Sequence, residues 1–258
     1  ANVQLLVRGR LDARGTPGQR IRFTRPPGSG ADWAGIRFEN TAASNLLTYA
    51  DLEFAAAGTA VVQVTNAQVA LDHITIGGSA TTALDFARPQ ATVRHSTFGD
   101  VGAHLLMRVG SLASDGWLEV EDNVFGTSDG GLDVARFERS SVRGGPLPRL
   151  RRNLFLGGSG NLVNAAETAL LLDGNYFQFA GGGVENEDPC GAVVTSPASG
   201  AGPTNRTTQH LVLTRNTFFG NDHACVFRTG AYAEIAQSVF VGNRGAIRFD
   251  VPQDPSAL

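Results

Sequence analysis

The sequence predicts an all-β chain that folds as a right-handed parallel β-helix, a solenoid of roughly ten coils. A six-residue pattern (apolar, two variable positions, small polar, spacer, large apolar) occurs eight times, and its closing residues are 54, 76, 98, 125, 155, 177, 218 and 240. The steps between them are 22, 22, 27, 30, 22, 41 and 22 residues, which indicates one stacked repeat with insertions. Apolar and polar residues also alternate with period 2, as half-buried strands require.

The segment before the first repeat is predicted to form short strands. Val3–Arg8 and Arg20–Thr24 are two strands separated by a Gly-Thr-Pro-Gly turn that begins at Gly15, and Trp33–Phe38 is a third. The repeat continues from there almost to the end of the chain, so residues 1–258 are expected to form a single β-helix domain. We expect this domain to be a fragment of a longer protein. Residues 181–209 interrupt the repeat, and they are predicted to form a lateral insertion loop.

The repeat predicts a register for the core. The closing aromatic residues are expected to stack in one buried column, each contributing roughly 1.5–3 kcal/mol through burial; they are Phe54, Phe98, Phe125, Phe155, Phe177, Phe218 and Phe240. The small polar position is expected to form a tight bend, because its frequent Asn tolerates left-handed backbone geometry, with side-chain amides hydrogen-bonding from coil to coil. A second inward-facing pair is expected seven residues after the closing residue, for example Leu105/Met107, Leu132/Val134 and Leu162/Asn164.

Composition excludes several classes of function. The net charge is −3, so no basic surface is expected that could neutralise many nucleic-acid phosphates. All 21 basic residues are Arg, which excludes catalysis through a lysine amine. No apolar run approaches the roughly 18 residues of a membrane-spanning helix, so no transmembrane segment is predicted. Cys190 and Cys225 fit either one disulfide or two buried thiols.

Stacking places equivalent positions of neighbouring coils about 4.8 Å apart, which predicts columns of side chains. The first variable position alternates in charge, and this favours a surface ladder of ion pairs; its members are Asp72, Arg94, Glu121, Arg151 and Asp173. The second variable position reads Asp51, His73, His95 and Asp122. If the chain is an enzyme, these four are its candidate catalytic residues, because a carboxylate can orient an imidazole for proton transfer. No metal is expected, and His73 and His95 are the candidate ligands if one binds.

The outer face of the second strand in each coil is the candidate ligand-binding surface. By the predicted register, Asp85, Arg108 and Asp133 point outward there, among apolar residues. Calcium-dependent lyase chemistry requires three or four oxygen ligands that converge beside an Arg or Lys. This mixed face favours binding over catalysis.

One resemblance is specific to the beginning of the chain. Val7-Arg-Gly-Arg-Leu-Asp-Ala-Arg-Gly-Thr16, followed by Ile21-Arg-Phe-Thr24 and Trp33-Ala-Gly-Ile-Arg-Phe38, resembles the opening of bacterial secreted or surface β-helix proteins of the pectate-lyase-like superfamily. Leu71-Asp-His73 and Asp129-Gly-Gly-Leu-Asp133 also resemble short pectate-lyase motifs, but the first lacks the Trp of that motif. No counterpart of the arginine-rich segment that carries the lyase base is found.

The resemblance implies an extracellular or cell-surface protein with a polysaccharide or another cell-envelope component as its partner. The predicted function is therefore a structural or polysaccharide-binding module. The alternative is a polysaccharide lyase or glycoside hydrolase. No cofactor is expected, except Ca²⁺ if the chain is a lyase. Three or more carboxylates that converge with an Arg or His in one groove would favour the enzyme.

Overall fold

A computed structural model describes residues 3–99, 101–140, 146–181, 190–196, 209–228 and 231–249. These residues form an all-β parallel solenoid of about eight turns, and no helix occurs among them. The predicted fold class is thus confirmed, with fewer turns than the roughly ten expected. The longer steps of the repeat add loop residues to a coil without adding a turn, which accounts for the smaller number. No described segment is a helix long and apolar enough to cross a membrane.

In the described part of the chain, twenty-four strands pair in parallel from coil to coil. The first twelve are β1 Leu5–Val7, β2 Asp12–Arg14, β3 Ile21–Phe23, β4 Ile36–Glu53, β5 Ala60–Gly77, β6 Thr82–Ala87, β7 Gln90–Arg94, β8 Thr97–Phe98, β9 Met107–Val109, β10 Trp117–Glu121, β11 Val124–Phe125 and β12 Ala135–Glu138. The others are β13 Arg149–Arg151, β14 Leu154–Phe155, β15 Val163–Ala166, β16 Leu170–Asp173, β17 Tyr176–Gln178, β18 Gly191–Ser196, β19 His210–Thr214, β20 Thr217–Phe219, β21 His223–Phe227, β22 Tyr232–Ala236, β23 Val239–Val241 and β24 Gly245–Phe249.

The predicted aromatic column forms the centre of the core. Phe98, Phe125, Phe155, Phe177 and Phe218 are fully buried. Ring centroids of successive members lie 5.2, 4.8, 4.9 and 5.2 Å apart, and Phe240 continues the column at 5.0 Å. These separations match the spacing of stacked strands, so in these six coils each Phe packs directly on the next.

In the first coil, the observed register differs from the predicted register by two residues. Leu52, not Phe54, pairs with Ile76 and is fully buried. Phe54 lies outside the column, where the guanidinium carbon of Arg25 sits 4.2 Å above its ring. Tyr49 consequently takes the second variable position, which was assigned to Asp51. A shift of two residues keeps every side chain on the same face, so alternation alone does not distinguish the two registers.

The bend lies one residue earlier than predicted. The left-handed backbone belongs to the second variable position, and the residues with positive φ there are Tyr49, His73, His95, Asp122, Arg152, Gly174, Arg215 and Gln237. The Asn that follows has a different role, because its buried side-chain amide forms hydrogen bonds to the neighbouring coils. Asn123 Nδ2 donates to Asn153 Oδ1 at 3.0 Å, and Asn153 Nδ2 donates to Asn175 Oδ1 at 3.0 Å. The predicted coil-to-coil amide ladder is confirmed.

The second strands of the coils also differ from the predicted register. The inward pairs are Met107/Val109, Ala135/Phe137 and Val163/Ala165 instead of Leu105/Met107, Leu132/Val134 and Leu162/Asn164. The seven-residue rule fails because the turns between the closing Phe and the second strand differ in length. Residues 182–189 and 197–208 of the predicted insertion lie outside the described residues. Between them, β18 pairs with β15 and β21 and so completes a coil.

No disulfide joins Cys190 and Cys225. Cys225 is fully buried in the core, in register with Val193 and Ile247 of the neighbouring coils. Cys190 precedes β18 and is half-buried. Burial raises the pKa of the Cys225 thiol far above its ordinary value, so this group does not ionise near neutral pH.

Candidate functional site

The candidate functional site is a groove of about 620 Å³ beside the second strands of six successive coils. Its size is within the range of small-molecule and oligomer sites. The turns that precede β9 and β12 supply His104, Leu132 and Asp133, while β12, β15 and β18 supply Arg136, Asn164 and Ser196. Thr82, Asn161 and Arg228 complete the polar lining. The groove therefore presents hydrogen-bonding side chains at the regular spacing of the solenoid.

Asp133 is the buried anchor of the groove, with 7% of its surface exposed. Asn161 Nδ2 donates to Asp133 Oδ1 at 2.7 Å, and Asn164 Nδ2 donates to Asp133 Oδ2 at 2.9 Å. A buried carboxylate is costly unless donors satisfy it, and here both oxygens have one. Asp133 is therefore fixed in position.

Two further hydrogen bonds connect the amides to the first and last residues of strand β18. Gly191 N donates to Asn161 Oδ1 at 3.0 Å, and Ser196 Oγ donates to Asn164 Oδ1 at 2.8 Å. Each amide thus donates to Asp133 and accepts from β18, which fixes its orientation. The side chains from three coils form one hydrogen-bonded layer under the groove.

The charge of the groove comes from two Arg and one Asp. Arg136 Nη1 lies 3.8 Å from Asp133 Oδ2, and Arg136 Nε lies 2.8 Å from Glu138 Oε1. Arg228 and His104 also line the groove. Among the described residues that line the groove, Asp133 is the single carboxylate. A pair of carboxylates on either side of a scissile bond, as most glycoside hydrolases use, is not formed by this lining.

Of the predicted ligand-binding residues, Asp133 lies in the groove, and Asp85 and Arg108 lie next to it along the sheet. Asp85 pairs in register with Arg108, which pairs with Arg136. Burial raises the pKa of Asp85, while the positive charge of Arg108 acts in the opposite direction. Sequence reasoning missed Arg136 and Asn161 and placed Asn164 in the core. A correct register for β12 and β15 would have identified Arg136 and Asn164.

The predicted histidine cluster forms, but with a different carboxylate. His73 and His95 stack with ring centroids 4.7 Å apart, and Tyr49 stacks on His73 at 4.4 Å. Asp72 Oδ1 lies 2.9 Å from His73 Nδ1 and 2.8 Å from His95 Nδ1. Asp72 thus bridges the two rings, because it precedes the bend and its side chain reaches both coils.

The other two members of the predicted cluster point to arginines. Asp51 lies in register with Thr75 and pairs with Arg20 at 2.8 Å, so it is outside the histidine column. Asp122 Oδ2 lies 3.9 Å from His95 Nε2. Its closer partner is Arg152, whose Nη2 is 2.7 Å away, and this guanidinium holds the pKa of Asp122 below its usual range.

The predicted charge ladder is present in register from Asp72 to Asp173. Its central members form ion pairs, with Glu121 lying 3.4 Å from Arg94 and 3.2 Å from Arg151. The two end carboxylates pair elsewhere, Asp72 with the histidines and Asp173 with Arg215 at 2.5 Å. The ladder therefore extends into the bend column and does not run straight through all five residues.

The fold and the groove together define the class of protein as a parallel β-solenoid with a polar lateral groove. No family model matches the chain, and the comparisons with curated proteins and with solved structures find no significant match. The groove is therefore the feature from which a function can be inferred.

Proposed function

We propose that the chain is a secreted or cell-surface module of the pectate-lyase-like superfamily and that it binds polysaccharide in the groove around Asp133. The observation that carries this proposal is the hydrogen-bonded layer of Asp133, Asn161, Asn164 and Ser196. Ligand sites depend on a small number of polar groups whose positions are set before binding. The opening motifs of the chain support the superfamily, and polysaccharide is the partner that this superfamily implies.

The repeat itself suits a polymer. Every coil advances by the spacing of adjacent strands, so the groove runs along several coils and receives side chains from each of them. Arg136, Arg228 and His104 can donate hydrogen bonds to hydroxyl or carboxylate oxygens, and Arg can hold a carboxylate with two parallel bonds. Arg136 is already paired with Asp133 and with Glu138, so the described groove is close to neutral and suits acidic and neutral polysaccharides alike.

Binding is tested by titrating the purified chain with acidic and neutral polysaccharides in a calorimeter. The test variant is His104→Ala/Leu132→Ala, because both side chains line the groove and neither belongs to the layer that fixes Asp133. The matched control is Leu6→Ala/His210→Ala, which removes the same atoms from exposed positions elsewhere. We expect at least about tenfold weaker binding for the test variant and no change for the control, since every 1.4 kcal/mol of lost contact is tenfold.

The alternative function, a polysaccharide lyase or hydrolase, is tested with the same samples. New reducing ends and unsaturated products are measured after the chain has been incubated with each polysaccharide. Product formation that depends on Asp133 would favour the enzyme. Absence of binding to every polysaccharide tested would contradict the binding proposal.

A further inference from the structure

A second cluster, formed by Asp72, His73 and His95, shares no residue with the groove. One ligand atom from each of the three side chains lies within 4.8 Å of the others. We propose that these three residues bind a divalent transition-metal ion of the Zn²⁺ class. This inference is independent of the proposed polysaccharide binding.

The chemistry of the donors selects the class of ion. Two imidazole nitrogens and one carboxylate oxygen are ligands that Zn²⁺, Cu²⁺, Ni²⁺ and Fe²⁺ accept, whereas Ca²⁺ and Mg²⁺ require a shell made mostly of oxygen. Three protein ligands leave at least one coordination position of the ion to solvent. These three ligand atoms therefore suit a transition-metal ion of intermediate softness such as Zn²⁺, and not a hard cation such as Ca²⁺ or Mg²⁺.

The three candidate ligand atoms already lie close to one another. Both Nδ1 atoms lie within 2.9 Å of the same oxygen, Asp72 Oδ1, although the two histidines belong to successive coils. The side chains of Asp72, His73 and His95 are 39%, 37% and 47% exposed, so an ion can reach them from solvent and they can adjust around it. Little reorganisation of the backbone is then needed on binding.

The surroundings hold the histidines in this arrangement. The Tyr49 ring covers the face of His73 that is turned away from His95. Arg20 Nη2 donates to the backbone oxygen of His73 at 3.0 Å, which fixes the bend that carries this side chain. Asp122, close to His95 Nε2, adds negative charge at the edge of the cluster, although Arg152 neutralises most of it.

The test uses tag-free protein that has been treated with a chelator and then titrated with ZnCl₂ in a calorimeter, with Co²⁺ as a second probe read by its visible absorption. The variants are Asp72→Asn, His73→Asn and His95→Asn. Asn is chosen for the two histidines because their φ angles are 53° and 47°, and Asn adopts this left-handed region more readily than Ala. Far-ultraviolet circular dichroism checks that each variant folds.

The matched control is His210→Asn. His210 also lies beside a carboxylate, Glu234 at 3.2 Å, and beside an aromatic ring, Tyr232 at 5.0 Å, but it has no second histidine next to it. We expect one Zn²⁺ per chain in the parent and in this control. Loss of a direct ligand should exceed the effect of losing an outer partner, so each histidine variant should bind at least about 100-fold more weakly.

Two results would overturn the proposal. One is a parent chain that binds neither Zn²⁺ nor Co²⁺ at millimolar concentration. The other is a set of histidine variants that bind as tightly as the parent, or no more weakly than His210→Asn. The ¹⁵N resonances of the imidazoles give an independent answer, because Zn²⁺ should shift those of His73 and His95 before those of the other three histidines.

Discussion

Phe125 shows how a single inward-facing residue of the repeat contributes to the packing of the core. Phe125 is fully buried and contacts Phe98 and Phe155 in the coils on either side, with ring centroids 5.2 and 4.8 Å away. Its stacking partners are separated from it by a whole coil of sequence. The Phe125 side chain therefore packs against both neighbouring coils. Residues of a single coil cannot fill the cavity that its loss would leave.

Replacing this ring by Ala tests the core at the residue scale. Phe125→Ala should lower the free energy of unfolding by about 3–5 kcal/mol, because a buried aromatic ring is lost and a cavity is left. Urea denaturation followed by circular dichroism measures the change. The control is Phe249→Ala, whose side chain is 66% exposed and should change stability by no more than about 0.5 kcal/mol. Equal effects of the two substitutions would show that the column is not the core.

Asp85 gives a second residue-scale prediction, through pH. Burial raises its pKa in the folded chain above the unfolded value of 3.8. The charged form is therefore disfavoured by folding, so Asp85 begins to lower stability as the pH rises through the unfolded pKa and lowers it fully above the folded pKa. Asp85→Asn should make the chain more stable at pH 7. The difference from the parent should shrink as the pH falls and vanish below about pH 4, where the carboxyl is protonated in both states.

The control for this pH dependence is Asp173→Asn, which should change stability at pH 7 in the opposite direction. The Arg215 guanidinium holds the pKa of Asp173 below its usual value, so that carboxylate stabilises the fold above the unfolded pKa and stops doing so as the pH falls through the folded pKa. Asp173→Asn should therefore be less stable than the parent at pH 7. Chemical denaturation of both variants from pH 3 to pH 7 provides the comparison. A destabilised Asp85→Asn at pH 7 would contradict the assignment.

At the scale of the element, the bend of each coil depends on two neighbouring positions with separate tasks. The residue with positive φ turns the chain, and the Asn after it bonds to the coils above and below. Asn153 Oδ1 accepts from both the backbone and the side-chain nitrogen of Asn123, and its Nδ2 donates to Val120 O and Asn175 Oδ1. These contacts satisfy backbone groups that the bend removes from the sheet.

The amide ladder is tested by substitution at its middle and at its end. Asn153→Ala leaves several buried polar groups without a partner, and since each costs about 1–3 kcal/mol, the loss of stability should be at least about 3 kcal/mol. Ser238→Ala, at the half-exposed end of the same column, removes one acceptor from Asn216 N and should cost about 1 kcal/mol. Thermal or urea unfolding measures both. Similar small losses would indicate that water replaces the ladder.

The same elements show what the sequence could predict and where it failed. A step of 22 residues and the closing Phe specify the solenoid and its core, since both follow from stacking identical coils. The two-residue error at Tyr49 arose because Leu47, Tyr49, Leu52 and Phe54 fit the pattern in either register. The second strands were misplaced because turn length varies between coils. The groove was missed as a unit because its buried layer joins residues from turns and from β18, inside the predicted insertion.

At the scale of the whole molecule, the charge ladder and the candidate groove occupy different parts of the solenoid. The central charge ladder lies on the first strands and bends of the coils, while the groove lies beside the second strands. Glu121 pairs with Arg94 and Arg151, and none of the three lines the groove. We therefore expect the ladder to act on coil stacking alone.

Arg94→Ala tests this separation. Arg94 is 43% exposed and contacts Glu119 at 3.3 Å and Glu121 at 3.4 Å, so its loss should cost about 1 kcal/mol or less, as is usual for surface ion pairs. High salt should lower the free energy of unfolding of the parent to about that of the variant, because screening removes the attraction that the substitution also removes. Polysaccharide affinity, measured by calorimetry, should not change, whereas His104→Ala/Leu132→Ala should lose affinity and keep its stability. If Arg94→Ala instead lost binding tenfold or more with its fold intact, the ladder would be part of the binding surface and the groove would not be the whole site.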